Sequence, residues 1–207
     1  PRRLESYDIS NISGTDIVAS MVVFQDGKPK KSEYKRFKVE GLENQDDYAS
    51  MHQVVKRRFV HFKAGDKGFD APPDLLLIDG GIVHAQTAER ALNEVGVSFP
   101  VFGMVKDDRH RTRALVTTDG QEISIDTNQA IFSLIGNIQE ETHRFAITYH
   151  HQHHTKSAMR SALDGVPGLG PKRQAELRKH FGTVKAIREA DETALAVVLP
   201  QNVAHTL

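Results

Sequence analysis

The chain has 207 residues, of which 39% are hydrophobic and 26% charged, enough apolar material for one or two packed domains and too much for wholesale disorder. Lys plus Arg and Asp plus Glu are each 27 and there is no Cys, which excludes disulfides, thiolate zinc sites and a cysteine nucleophile and suits a cytoplasmic protein. No apolar run approaches the ~18 residues of a membrane span, and the charged start Pro1-Arg2-Arg3-Leu4-Glu5 has no signal-peptide pattern, so a membrane is not expected as a partner; without an initiating Met it reads as a fragment of a longer protein.

Residues 4–9 read as a short strand ending at Asp8. Ile17–Phe24 is β-rich, Asp26-Gly27 is a hairpin signal, and Ser32–Val39 alternates as a returning strand would. Residues 46–62 have helical spacing, with Tyr48, Met51, Val54, Val55, Arg58 and Phe59 on one face and Asp46 and Asp47 at the N-terminal end, where the helix dipole favours them. Leu75-Leu76-Leu77-Ile78 has no alternation, so it reads as a strand buried on both faces, closed by Asp79-Gly80-Gly81. Val83–Val95 reads as a helix, Pro100–Val105 as a strand, and Leu115–Thr117 with Glu122–Ile125 as a second hairpin around Asp119-Gly120. Ile131, Leu134, Ile135, Ile138, Phe145, Ala146 and Tyr149 then recur at helical spacing over about 128 to 150.

This order predicts an α/β fold: a mixed sheet flanked by helices, with Leu75–Ile78 as a central parallel strand reached through a crossover helix. The polar run His150–Lys156 reads as the interdomain break, giving a domain at 1–155 and a small helical one at 156–207. Charge follows the same division: after Thr155 there are 8 basic and 5 acidic residues, against 19 and 22 before it. A positive module beside a slightly acidic body suits a nucleic-acid anchor, although a solvated helix face explains the same charges.

Two carboxylates carry the chemical argument. Asp8 and Asp79 each close a strand, and ligands in such sheets gather beyond the strands' carboxyl ends. A lone strand-end Asp is commonly a cap or turn former. Two on neighbouring strands, ~4.8 Å apart, can share one cation, whereas without it they repel and one takes a proton. Gly80-Gly81 permits a sharp turn, but no Lys-Ser/Thr phosphate-loop signature accompanies it. His143, off the apolar stripe of the long helix and one turn after Glu140, is suited to metal binding or proton transfer, or to a plain solvent-facing role. His150, His151, His153 and His154 fit no standard zinc spacing. The dense segment Asp107, Asp108, His110, Arg111, Arg113 suits either a phosphate-facing loop or ordinary surface. Between the helical patterns Ala158–Leu163 and Lys172–His180 lies Val166-Pro167-Gly168-Leu169-Gly170-Pro171. Pro171 suits a first helical position, the glycines leave N–H groups free at that helix N-terminus, and Lys172 and Arg173 stand beside it, the make-up of a hairpin that grips a phosphate without reading bases.

Taken together, Tyr7-Asp8-Ile9-Ser10-Asn11, Gln45-Asp46-Asp47-Tyr48, Val55-Lys56-Arg57-Arg58, Leu77-Ile78-Asp79-Gly80-Gly81, the run Lys106–Arg113 and Glu141-Thr142-His143-Arg144-Phe145-Ala146 resemble the C-terminal half of UvrC, the nuclease subunit of bacterial nucleotide excision repair, over nearly the whole chain and in the same order. The resemblance implies an RNase H-like endonuclease domain followed by a tandem helix-hairpin-helix domain. It implies a Mg²⁺- or Mn²⁺-dependent endodeoxyribonuclease that makes the 5′ incision beside a lesion in damaged double-stranded DNA, in a complex with UvrB whose contact segment lies outside this chain. The family's Asp-Asp-His set falls on Asp8, Asp79 and His143, a supporting acid on Asp47, and the phosphate hairpin on Val166, Gly168, Leu169 and Gly170, with Lys172 and Arg173 adjoining. There are departures. The second hairpin reads Val198-Leu199-Pro200-Gln201-Asn202-Val203, without Gly, which leaves that half with a packing role. The segment after Tyr149 is His-rich rather than Arg/Lys-rich, which predicts weaker DNA contact at high pH. Ile82-Val83-His84 stands where polar residues are commoner. The competing expectation is a non-catalytic DNA-binding module with a degenerate body; a pure protein scaffold leaves the Pro-Gly-Leu-Gly turn and its flanking bases unexplained.

Overall fold

The computed structural model describes residues 1–12, 16–41, 46–108, 111–163 and 166–205. They divide into two compact units, Pro1–Thr148 and Tyr149–Leu207.

In the first unit, β1 (Arg3–Ile12) and β2 (Asp16–Gln25) pair antiparallel along their full length, from Arg3 opposite Gln25 to Ile12 opposite Asp16. Asp26 and Gly27 both take positive φ, 51° and 75°, the combination that a two-residue hairpin turn matched to strand twist requires. The expected returning strand at 32–39 is shorter, covering Lys35–Lys38, and a two-residue strand precedes it. β3 (Lys28–Pro29) and β4 (Lys35–Lys38) both pair with β2, separated by a 3-10 turn at Lys31–Glu33. That turn carries Glu33 onto the guanidinium of Arg3, an ion pair that a continuous strand would not reach.

Helix α1 (Asp47–Ala64) starts where Asp46 accepts from the Ala49 N–H at 2.9 Å, and α2 (Ile82–Val95) follows directly on β5 (Leu75–Ile78). β6 (Val101–Lys106), β7 (Thr112–Thr117) and β8 (Glu122–Ser124) complete an eight-stranded sheet of order β3-β2-β1-β5-β6-β7-β8, with β4 beside β3 on the edge of β2. The central strands β1, β5 and β6 are parallel and the outer pairings antiparallel, so the sheet is mixed.

Alternation along β5 sorts its side chains between two cores. Leu76 and Ile78 pack with Tyr7, Met51, Phe59, Ala88 and Leu92 beneath α1 and α2. Leu77 packs with Leu4, Val22, Met104, Ile135 and Ile138 beneath α3 (Gln129–Leu163). All three β5 residues are fully buried, each contributing roughly 1.5–3 kcal/mol. Within the first core Glu5 is fully buried and accepts from Arg58 Nη2 at 2.7 Å, Arg3 Nη2 at 3.1 Å and the Tyr7 hydroxyl at 2.7 Å. Arg58 also donates to the carbonyls of Phe69 and Ala71, so one guanidinium ties α1, β1 and the loop before β5 together.

The long helix does not stop at the His-rich run. α3 continues through 150–156 to Leu163, beyond the end near 150 that the apolar spacing predicts. The side chains of His150, His151, His153 and His154 lie outside the described residues, as do Gln45, Arg109 and His110. In the second unit, α4 (Pro171–Phe181), α5 (Val184–Glu189), α6 (Glu192–Ala196) and α7 (Gln201–Ala204) enclose Leu163, Leu169, Leu177, Ile187, Leu195, Leu199 and Val203. Thr183 and Asp191 cap α5 and α6 by accepting from the N–H groups of Ala186 and Ala194. Among the described residues no helix is long and apolar enough to cross a membrane.

Candidate functional site

The parallel ladder between β1 and β5 ends with Tyr7 opposite Ile78, and the next residues on each side are Asp8 and Asp79. The Asp79 N–H donates to the Tyr7 carbonyl at 2.9 Å, which fixes that register. Asp8 is not the end of its strand, as the sequence suggested, because β1 runs on to Ile12 against β2. It is the first residue beyond β5, where the central sheet opens. Strand alternation places it on the side of Leu4 and Ser6, the side covered by α3.

The electrostatics of the pair are unfavourable. Burial pushes the Asp8 carboxyl up from 3.8 to about 7. The neighbouring charge of Asp79 is the second cause of that rise and Asp47 a lesser one, against the opposing Lys106 ammonium and the Ser10 hydroxyl. Ser10 Oγ donates to Asp8 Oδ2 at 3.4 Å. The Asp79 side chain is 11% exposed and lies against Lys106, whose Nζ is 2.7 Å from Oδ1 and hydrogen bonds Oδ2 at 3.0 Å. Oδ1 is buried without a hydrogen bond, the ammonium standing off its bonding angle. A buried carboxylate held by a single ammonium, beside a second carboxyl that resists ionisation, is the donor chemistry of a hard divalent cation.

The turn after Asp79 depends on a residue the sequence reading passed over. A Cβ on Gly103 of β6 would lie 2.6 Å from the Gly80 carbonyl oxygen and 2.9 Å from that of Gly81. The absence of a side chain at 103 therefore lets the Asp79-Gly80-Gly81 turn settle on β6. His84, in the first turn of α2, stacks on Tyr48 at 4.6 Å between centroids. Burial holds its pKa below the usual imidazole value, against the charges of Asp47 and Asp79. Asp47, exposed in the first turn of α1, thus acts on both Asp8 and His84 through its field.

His143 is exposed on α3. Its neighbour Thr142 is buried, and Thr142 Oγ1 is hydrogen bonded to Ser6 Oγ at 3.0 Å and to the Ile138 carbonyl at 2.7 Å, which pins the helix to β1 two residues before Asp8. Asp79, Lys106, Arg111, Glu140 and His143 are among the residues that line one cavity of about 770 Å³. The structure therefore brings Asp8 next to Asp79 across the β1–β5 ladder and sets Asp79 and His143 in the lining of one cavity. No three His, Asp or Glu side chains among the described residues are grouped closely enough to hold a metal. In the charged segment before β7, Asp107 accepts from the Arg111 N–H at 2.8 Å and from its guanidinium at 3.1 Å, so this loop is tied to itself.

In the second unit, the hairpin at 166–170 turns at Gly168, whose φ is +78°. A Cβ there would sit 3.0 Å from Val203 Cγ2. Leu169 is buried and Gly170 is the N-cap of α4, ahead of Pro171. Arg173 donates to the Gly168 carbonyl, which holds the hairpin, while Lys172 is exposed. Leu199 and Val203, from the stretch without Gly, are 4% and 3% exposed, and Val203 buttresses the first hairpin.

The sequence names Lys106 only within the motif Lys106–Arg113 and His84 only as a departure, gives neither a role in the site, and leaves Gly103 unmarked. Lys106 had a usable signal, since it ends the strand next to β5 and the strand-end rule applies to a cation as well as to carboxylates.

Residues 1–147 match the model of the UvrC RNase H endonuclease domain. The chain is 44% identical over 213 residues to UvrABC system protein C of Acetivibrio thermocellus, covering 96% of this chain and 34% of that one. It is 46% identical over 202 residues to UvrABC system protein C of Caldanaerobacter subterraneus, covering 92% of this chain and 32% of that one. It thus spans about a third of the length of these relatives. The crystal structure of human ENDOV aligns with a TM-score of 0.41 at 14% identity, over 76% of this chain and 86% of that one. With the family model covering most of the first unit and the motifs in register, the chain belongs to the UvrC RNase H endonuclease domain family.

Proposed function

We propose that the chain is a divalent-metal-dependent endodeoxyribonuclease of bacterial nucleotide excision repair, that it makes the incision 5′ to a lesion in damaged double-stranded DNA, and that its second unit binds DNA backbone. The role belongs to the cytoplasm and to a complex with UvrB, the name of the matched relatives being that of a UvrABC system component. The observation that carries the reading is the Asp8–Asp79 pair, held at the open end of the β1–β5 ladder with one carboxyl raised to about 7 and one buried carboxylate oxygen lacking a hydrogen bond.

Asp8 and Asp79 are the residues that would hold Mg²⁺ or Mn²⁺, both hard cations suited to carboxylate oxygen. Bound there, the ion supplies Lewis-acid polarisation of a phosphodiester and a water of lowered pKa. For that, Asp8 must release its proton, so cation and proton compete for the site and binding weakens as pH falls. Lys106 must yield Asp79, and its ammonium, which already lines the cavity, is then available to a phosphate oxygen. His143, in the lining of the same cavity, serves as a further ligand or as the proton-transfer group, and Asp47 supports the site through its field on Asp8. In the second unit, Val166, Gly168, Leu169 and Gly170 present the phosphate-facing turn, with Lys172 and Arg173 beside it. Replacing Asp79 by Ala abolishes Mn²⁺-dependent nicking and leaves DNA binding nearly intact; cutting on the 5′ side by a full-length enzyme carrying that change overturns the assignment.

One observation favours the rival reading of a non-catalytic DNA-binding body: Lys106 already neutralises Asp79, and no three-residue metal cluster is formed among the described residues. Calorimetric Mn²⁺ titration separates the two, since the rival has no site that disappears with Asp8→Asn.

A further inference from the structure

We propose that the cavity extending from Asp79 along α3 seats the sugar–phosphate backbone of a nucleic-acid strand beside the bond to be cut, and that Gly136 is its point of closest approach. The inference rests on the nuclease reading above and deepens it.

The cavity, about 770 Å³, is continuous with the candidate metal carboxylate, because Asp79 and Lys106 form one of its walls. The wall contributed by α3 includes Ser133, Gly136, Asn137, Glu140 and His143, residues three or four apart and therefore on one helix face. Gly136 stands in the middle of that face and is poorly suited to a helix interior. A Cβ at 136 would meet nothing within 4 Å, and the residue is not among the glycines with positive φ. Neither packing nor backbone conformation within this chain accounts for glycine at 136. An object outside the chain that comes closer to the helix than a side chain permits does account for it. Flanking it, the exposed amide of Asn137 and the hydroxyl of Ser133 offer neutral hydrogen bonding. Lys106 and Arg111 supply positive charge to the cavity, the Arg111 side chain being 61% exposed although paired with Asp107. Cations with short neutral donors are the groups that position a phosphate backbone without reading its sequence, and Phe132, also in the lining, offers a ring face to a base. Glu140 is the one negative side chain on the helix wall; it stands one turn from Gly136 and one turn from His143 on that face, and the cations Lys106 and Arg111 in the lining oppose its charge.

The absence of Cys makes the test direct. Asn137→Cys is coupled to a benzophenone maleimide and irradiated with a fluorescein-labelled oligothymidylate in EDTA; Val60→Cys, exposed on α1, is the control. Efficient crosslinking from 137 and background from 60 is expected. In the Asn137→Cys background, Gly136→Leu lowers the crosslink yield at least tenfold and Gly136→Ala lowers it less, with Tm equal to or above that of the parent in both. Equal yields from 137 and 60, or a parent-like yield from Gly136→Leu, overturn the channel. Mn²⁺-dependent nicking by Asp79→Ala is scored in parallel. If that variant is inactive while Gly136→Leu crosslinks and cuts like the parent, the channel falls and the nuclease reading stands. If it still cuts while Gly136→Leu loses its crosslink, the nuclease reading falls and the strand-binding surface stands.

Discussion

The metal-free protein should become less stable as pH rises, and Asp8 should be the cause. Its carboxyl is lifted from 3.8 to about 7 by burial first and by the charge of Asp79 second. Between those values the folded state keeps a proton that the unfolded chain releases, so the contribution of Asp8 is most favourable below pH 4, falls through the window and levels off above 7. At ~1.4 kcal/mol per pH unit, the ionised carboxylate costs about 4 kcal/mol at pH 8. Asp8→Asn removes the charge while keeping the shape. Variant and parent should be nearly equal in stability at pH 4, and the variant should be more stable by roughly 3–5 kcal/mol at pH 8 in EDTA. Hydrogen exchange at the amides of β1 and β5 reads this unit separately from the helical one. Mn²⁺ should recover the deficit in the parent, with release of about one proton near pH 6, and do nothing for the variant. A stability difference between the two proteins that does not change with pH would refute the reasoning, since it would mean that Asp8 ionises as easily folded as unfolded.

Other substitutions test the parts around the pair. Arg58→Met leaves Glu5 buried with its main partner gone and should cost about 3–5 kcal/mol in urea denaturation, much of it recovered by adding Glu5→Gln; a loss under 1 kcal/mol would show that Arg3 and Tyr7 suffice. Lys106→Met removes the cation on Asp79 and should tighten Mn²⁺ binding at pH 8 about tenfold, the ~1.5 kcal/mol of a charge-assisted hydrogen bond. Unchanged or weaker binding by calorimetry would mean that Lys106 does not compete with the ion. Gly103→Ala drives a methyl onto the carbonyls of Gly80 and Gly81, so it should lower stability by ~1–3 kcal/mol and weaken Mn²⁺ binding too. Lost stability with intact metal affinity would show that the Asp79 turn is positioned by something else.

What could be read in advance follows from what fixes each element. β5 was legible because four apolar residues between a Pro-rich loop and Asp-Gly-Gly leave few alternatives, and both its faces are buried. Arg58 was placed on the buried face of α1 by its spacing from Val54 and Val55, but its partner Glu5 lies 53 residues away and no local pattern announces it. The continuation of α3 past about 150 is hidden from apolar spacing, because the residues after Tyr149 are polar and carry no stripe. The better signal was the lack of any Gly or Pro from Asn137 to Asp164, since those residues, not charge, break helices.

The same distinction explains why half of the candidate site was foreseeable and half was not. Asp8 and Asp79 meet because parallel strands lie at a fixed spacing of ~4.8 Å and the ladder from Leu4–Leu75 to Tyr7–Ile78 leaves them next in line. Strand order and register decide that, and both leave traces in apolar runs and turns. The aim of His143 is decided by the rotation of α3 about its own axis. That rotation is set by the burial of Ile135 and Ile138 against Leu77 and Met104 and by the hydrogen bond from Thr142 to Ser6. Spacing along the helix records which residues share a face with His143, and Glu140 does share the cavity wall with it. It does not record how far that face is turned toward the carboxylates, which is a property of the core beneath. Lys106 belongs partly to the foreseeable half: strand order puts the end of β6 next to that of β5, but Lys106 lies two residues past the ladder position opposite Asp79 and meets it only through the length of its side chain.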